Sequence, residues 1–375
     1  MEPSAGEYTF THLERVVFGA GSVARLGDEV DRLGASRAVI VTGRSLGSSS
    51  LLERLKNALG GRCLEVFSGA RQHVPSSAVA ALAGILDARR ADCVISFGGG
   101  SPIDAAKAAV HLQLRAGRDG GAGLPHVAVP TTLSAGEFTA VAGITDEGTM
   151  VKHAVVDPRL APRVVVLDPE LSVATPQWLW AASGMRAVDH AVETLYASHR
   201  HPVSEAQAAH ALAALVAQLP RSLDAGAMAD RLHCQTAAWM SVQGIAYAGL
   251  GLSHALGHQI GPRWNVPHGV TSCITLPHAM RAVAGRAPER FPAIAAALGV
   301  ALDVEQPAPG AHACADAVAA LVTRLGLPAR LRDVGVPHAE LEAAAAVVHD
   351  VMTHHPRVGL DVSLDEVAAV LAAAY

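Results

Sequence analysis

Residues 93–108, CVISFGGGSPIDAAKA, decide the fold. The run CVISF has no helical period and reads as a buried strand. Gly98, Gly99 and Gly100 turn the chain, and Pro102 stands in the first turn of the helix that follows. Glycines at such a turn let the backbone approach a ligand, and the unpaired N–H groups of the helix start point at it, which makes an anion pocket. A tight strand-to-helix turn also needs glycine when nothing is bound, and the pattern is not GxGxxG, so both readings stand.

The same alternation extends on both sides of this stretch. Residues 38–42 (AVIVT), 63–67 and 93–97 read as strands, and 51–59, 76–89 and 102–115 as helices between them. Such alternation implies a parallel sheet with helices on both faces. Residues 126–129 form another strand, 137–156 a hairpin turning at Asp146-Glu147-Gly148, and 164–167 a last strand that Asp168-Pro169 stops. A second small-polar turn, Pro130-Thr131-Thr132-Leu133-Ser134, follows a strand at the same sheet edge, so one nucleotide between the two turns is a natural reading. After Ser172 helical period takes over, at 176–198, 204–218, 227–244, 250–259, 311–325 and 364–374. The expected fold is α/β: a Rossmann-like parallel-sheet domain over 1–170, then an all-helical domain over 171–375, meeting at a hinge with a cleft.

Composition narrows the function classes. The 375 residues suit two domains, and with 50% hydrophobic and only 17% charged residues the chain is not expected to be disordered. A net charge of −5 without basic runs leaves no footprint for nucleic acid or an anionic membrane. No apolar run reaches spanning length, and the N-terminus lacks the basic start and apolar core of a signal peptide. Five scattered cysteines without a CxxC pair suggest neither a disulfide framework nor a cysteine zinc site. A cytoplasmic protein acting on small molecules is expected.

Most of the 19 histidines are expected to be ordinary packed residues, His12, His153, His201, His278 and His312 among them. His190, His254, His258 and His268 stand apart. His254 and His258 leave one helix face a turn apart, and His268, between Pro267 and Gly269, reads as a turn able to swing a third ring toward them. Neutral imidazoles suit divalent ions, yet catalytic metal sites usually add a carboxylate. One turn before His190 that place holds Arg186, and Asp189 points about 100° away around the helix.

FGGGSPIDAAKA (97–108), PTTLSAGEFT (130–139), GMRAVDHAVE (184–193) and SHALGHQIGPRWNVPHG (253–269) resemble, in order, four signature regions of the iron-containing alcohol dehydrogenase family. They more closely resemble its maleylacetate reductase branch. The resemblance covers residues 15 to about 280 and implies the two-domain, dehydroquinate synthase-like architecture. It also implies that Gly99, Gly100, Ser101 and Asp104 hold the pyrophosphate and nicotinamide ribose of NADH or NADPH, with Thr131, Thr132, Ser134 and Lys152 lining the rest of the groove. His190, His254 and His268 match three metal ligands of the family, and His258 a histidine near the reacting carbon. The fourth ligand is an Asp where this chain has Arg186, which puts a bound Fe or Zn in doubt, because a cation beside a divalent ion costs several kcal/mol even at moderate dielectric.

Arg186 instead offers a planar fork suited to a carboxylate, with His254, His190 or His258 bonding the oxygen that gains charge; a salt bridge to Asp189 or Glu193 is the plainer alternative. After the first strand, Thr42-Gly43-Arg44 lacks the acid that often accepts the adenosine ribose hydroxyls and offers Arg44 to pair with a 2′-phosphate, so NADPH is expected to be accepted or even preferred; an exposed turn is the plainer alternative. The function expected from the resemblance is hydride transfer from NAD(P)H to an unsaturated oxo-dicarboxylate or related oxo-acid in aromatic breakdown. Its rivals are a Fe- or Zn-dependent dehydrogenase of simple alcohols, a dehydroquinate synthase-like lyase, and a non-catalytic binding protein. A homodimer is left open.

Overall fold

The computed structural model describes residues 10–117, 121, 123–148, 152–199, 201–249, 251–354 and 361–375. The chain forms two compact units, Met1–Pro130 with Gly136–Asp168, and Thr131–Ala135 with Pro169–Tyr375. The second small-polar turn thus groups with the second unit, although it precedes residue 170.

The first unit is built on a six-stranded sheet ordered β1-β8-β5-β4-β2-β3, from β1 (Arg15–Phe18), β2 (Ala38–Thr42), β3 (Cys63–Phe67), β4 (Cys93–Gly98), β5 (His126–Pro130) and β8 (Val164–Leu167). All its ladders are parallel. β2, β4, β5 and β8 are buried along their whole length, which is why they read as unbroken apolar runs. β2 has β3 on one side and β4 on the other, with Thr42 level with Phe97, so the strand order reverses at the β2–β4 boundary. In open parallel sheets ligands bind beyond the carboxyl ends of the strands at such a reversal.

Helices Ser50–Leu59, Ser76–Ala88 and Gly100–Arg115 fall within two residues of expectation. β6 (Val141–Thr145) and β7 (Lys152–Val156) form the antiparallel hairpin. The sequence reading lacked β1, a four-residue edge strand that pairs with β8 alone. Asp168 ties its outgoing loop by accepting the N–H groups of Gly21 (3.2 Å) and Val23 (3.1 Å).

Among the described residues the second unit contains helices and no strand. Its main members are Gln177–Tyr196, Pro202–Gln218, Met228–Val242, Leu252–Trp264, His268–Arg286, Pro307–Arg324, Leu341–His354 and Leu364–Ala373. Two differences from the sequence reading bear on the site. The helix expected over 250–259 runs on through Pro262 to Trp264, while Leu250 lies outside the described residues. His268 sits not in a turn but at the start of a 19-residue helix, behind Pro267 at its N-cap. No described helix is long and apolar enough to cross a membrane.

Candidate active site

The first unit carries the phosphate turn. Gly98 has φ 139°, a conformation open to glycine, and Gly99 caps the Gly100–Arg115 helix without any side-chain hydrogen bond. The backbone N–H groups at this helix start therefore have no side-chain cap, which fits a pyrophosphate. Asp104 is engaged locally, its Oδ2 accepting the Gly143 N–H of β6 at 3.2 Å. One turn on, the buried Lys107 donates to the carbonyls of Gly136 (2.6 Å), Thr139 (2.6 Å) and Val141 (3.0 Å), pinning the loop that follows the 131–135 segment. Sequence reasoning missed Lys107, although a lysine among alanines on a buried helix is a visible signal. Lys152 opens β7; its side chain lies outside the described residues.

In the second unit Thr131 and Thr132 are buried, and Thr132 donates to Ser134 at 3.3 Å. The Leu133 N–H donates to Ser183 Oγ at 3.0 Å. This polar turn is thereby fastened to the Gln177–Tyr196 helix, one turn before Arg186.

The four singled-out histidines do meet. Ring centroids are 5.5 Å apart for His190 and His254, 4.7 Å for His254 and His258, and 5.1 Å for His258 and His268. Arg186, 4% exposed, lies beside them. Its Nη1 donates to Asp189 Oδ2 (3.1 Å) and Ser272 Oγ (3.2 Å), and its Nη2 makes a short hydrogen bond with His254 Nε2. The helical-spacing salt bridge is therefore real. Of five guanidinium hydrogens, the Nε–H and one on Nη2 are left for a further acceptor. Burial lowers the Arg186 pKa, but from so high a starting value that the group stays charged.

A guanidinium only donates, so His254 Nε2 is the acceptor and the neutral ring carries its proton on Nδ1. Burial first, then the Arg186 charge, pushes the His254 pKa well down, and the same two causes do so for His190. His254 Nδ1 lies 3.9 Å from Glu193 Oε2. Glu193 Oε1 accepts the N–H groups of Ser253 (2.8 Å) and His254 (3.4 Å) and the Tyr196 hydroxyl (3.2 Å). That carboxylate caps the Leu252–Trp264 helix from outside, which its own N-cap, Gly251, has no side chain to do. A Cβ on Gly251 would lie 2.2–2.3 Å from the Glu193 carboxylate, so only glycine admits this cap. Burial and the Asp189 charge push the Glu193 pKa well up. Asp189 Oδ2 accepts from Ser253 (3.1 Å) and Ser272 (2.6 Å) as well as Arg186. Helical spacing marks Glu193 only as a possible ion-pair partner of Arg186, and nothing in the sequence marks Ser253 or Ser272.

The metal question turns on these donors. The ring nitrogens that converge within 4.8 Å belong to His254, His258 and His268, rather than to the expected His190, His254 and His268. Within this trio the Nε2 lone pair of His254 is taken by Arg186, and the carboxylate that would balance a divalent charge is replaced by a guanidinium. As folded, the Nε2 lone pair of His254 is not open to Fe or Zn.

Models of the iron-containing alcohol dehydrogenase family match residues 14–169 and, for the C-terminal part, 180–375. The chain belongs to this family. Like the family, it is an NAD(P)-dependent oxidoreductase. Among curated relatives, the maleylacetate reductase of Burkholderia cepacia is 34% identical over 89% of this chain and 88% of that protein. That of Sphingobium indicum is 36% identical over 76% and 77%. Among solved structures, maleylacetate reductase from Agrobacterium tumefaciens is 30% identical with a TM-score of 0.83 over 100% and 99% of the two chains. A 1,3-propanediol oxidoreductase superposes with a TM-score of 0.91 at 25% identity, over 99% and 100%.

Proposed function

We propose that the chain is a reductase of the maleylacetate reductase type, using NADH or NADPH to reduce an unsaturated oxo-dicarboxylate or related oxo-acid in aromatic breakdown. The observation that carries this reading is Arg186, buried among four histidines at the place where the family resemblance implies an acid in metal-dependent members. Asp189 pairs the charge of Arg186, but the guanidinium keeps two hydrogens that a carboxylate or an oxyanion engages better than a neutral alcohol does.

Gly99, Gly100 and Ser101 at the glycine turn would hold the dinucleotide, which when bound would supply the hydride. Arg186 offers its two remaining hydrogens to a substrate carboxylate or to the oxygen on which charge develops. His254 is a poor proton donor here, because Nε2 accepts from Arg186 and Nδ1–H faces Glu193. It holds the guanidinium in place instead. His258, exposed to solvent, is the better group to deliver the accompanying proton and regain it from water. His190, whose Nδ1 is buried without a partner, is the remaining ring for substrate to engage. No step is assigned to a metal. The five cysteines are unpaired, which suits the reducing cytosol.

The test is oxidation of NADH and NADPH by unsaturated oxo-dicarboxylates, their monocarboxylate analogues and simple aldehydes, with and without chelator, alongside metal analysis of protein purified without chelator. Turnover with dicarboxylates that chelator leaves unchanged is expected. One equivalent of metal per chain, with chelator-sensitive turnover of simple aldehydes, would overturn the reading.

A further inference from the structure

We infer that a cavity at the carboxyl ends of β2 and β3 binds the 2′-phosphate of NADPH through Arg44 and Arg71 and makes the enzyme selective for the phosphorylated cofactor. The inference rests on the reading that the glycine turn after β4 holds the pyrophosphate of a dinucleotide.

The cavity measures about 720 Å³, and Arg44, Phe67, Ser68, Arg71 and Ser77 are among its lining residues, none of which is acidic. Its position follows from the sheet order. β4 ends at the glycine turn, β2 lies beside it and β3 beyond. Neighbouring strands are about 4.8 Å apart, so the ends of β2 and β3 lie roughly 5–10 Å from the pyrophosphate place, within reach of the adenosine ribose. Where an acid would receive the ribose hydroxyls, β2 runs out through Gly43 into Arg44. Arg71 approaches from the end of β3, so two cations from adjacent strand ends share one cavity with the hydroxyls of Ser68 and Ser77.

The backbone behind Arg71 is held in an unusual shape. His73 and Val74 have φ 62° and 52°, left-handed values that a β-branched residue such as Val74 rarely adopts. Such strain persists only where the surroundings enforce it. Here Thr145 of β6 enforces it, donating its hydroxyl to the His73 carbonyl (2.6 Å) and its N–H to the Val74 carbonyl (3.0 Å). The clamped turn is the one that presents Arg71 to the cavity.

Arg71 also donates to Ser77 Oγ at 3.2 Å and lies 3.7 Å from Glu147. Glu147 accepts the Ser77 N–H at 2.9 Å, so its carboxylate is anchored elsewhere and engages Arg71 only loosely. A loose exposed pair of this kind holds an arginine weakly, whereas a phosphate accepts from the guanidinium fork in two-pronged fashion.

Fluorescence titration of the whole protein with NADPH and NADH tests this without any knowledge of the substrate. NADPH is expected to bind about a hundredfold tighter, about tenfold for the charge-assisted hydrogen bond of each arginine. Arg44→Ala and Arg71→Ala should each weaken NADPH about tenfold, leave NADH within about twofold, and together abolish the preference. 2′,5′-ADP should displace NADPH at lower concentration than 5′-AMP does. Both arginines are exposed, and circular dichroism confirms that each variant is folded. Equal or tighter NADH binding by the unaltered protein overturns the inference, as does equal weakening of both cofactors by the variants. Binding of neither cofactor instead overturns the dinucleotide reading on which it rests.

Discussion

At position 186 one guanidinium touches a carboxylate, a hydroxyl and an imidazole, and each contact limits what the others can do. The sequence shows that Arg186 stands where a metal site needs an acid. It does not show that three of the guanidinium hydrogens are already used, because Ser272 and His254 lie 86 and 68 residues away. The same distance hides which three histidines converge, since helical spacing speaks only for His254 and His258. Arg186→Asp tests the position from both sides. It removes the cation that pairs with Asp189 and sets a second buried carboxylate one turn from it, so the metal-free variant should lose about 3–5 kcal/mol of stability. Added Zn or Fe should restore part of its melting temperature, because the acid completes a donor set with the histidines. For a dicarboxylate substrate kcat/KM should fall about 10²–10³-fold, the loss found on removing one donor from a developing anion. Unchanged kinetics would leave Arg186 a structural residue.

At the scale of elements, what was legible followed from period and run length. β2, β4, β5 and β8 are apolar throughout because helices cover both faces, and their limits are readable to within a residue. β1 was lost because four residues ending in an exposed Phe18 carry too little pattern. The His268–Arg286 helix was hidden by prolines: Pro267 precedes it and Pro277 lies within it, and proline inside a helix normally argues against one. The cap of the Leu252–Trp264 helix was equally hidden, since Glu193 reaches it from another helix. Gly251→Ala should expose that cap's importance. A Cβ within 2.3 Å of the Glu193 carboxylate forces the first turn, which carries His254, away from Arg186. A cost of about 1–3 kcal/mol, typical of overpacking, is expected in urea unfolding. Turnover should fall at least about tenfold while the Kd of the cofactor stays the same, because the phosphate turn belongs to the other unit. An unaltered kcat would show that the cap does not position His254.

For the molecule as a whole, the buried ionisable groups outside the histidine cluster set how stability responds to pH. Glu137 is buried beside Lys107 in the first unit, and one of its carboxylate oxygens has no hydrogen-bond partner. Burial pushes its pKa up from 4.5 to about 7, against smaller opposing pulls from a hydrogen bond with its own backbone N–H and from the Lys107 charge. Burial likewise pulls Lys107 down from 10.5 to about 8, which leaves it mostly charged at neutral pH. For Glu137 the folded pKa lies above the unfolded one, so the native state binds more protons between them. Its contribution is therefore fully present below pH 4.5 and is lost as pH rises to 7 and beyond. Lys107, with a depressed folded pKa, acts in the other window: stability rises with pH between about 8 and 10.5. Glu137→Gln removes the first effect while keeping the shape. Relative to the parent it should gain nothing from this source near pH 4.5 and about 3 kcal/mol by pH 8, at 1.36 kcal/mol per pKa unit. Urea midpoints of both proteins at pH 5, 6, 7 and 8 measure the divergence. Parallel curves across that range would show that Glu137 ionises in the folded protein at the pH where it ionises in the unfolded chain, and that the Lys107 charge offsets its burial in full.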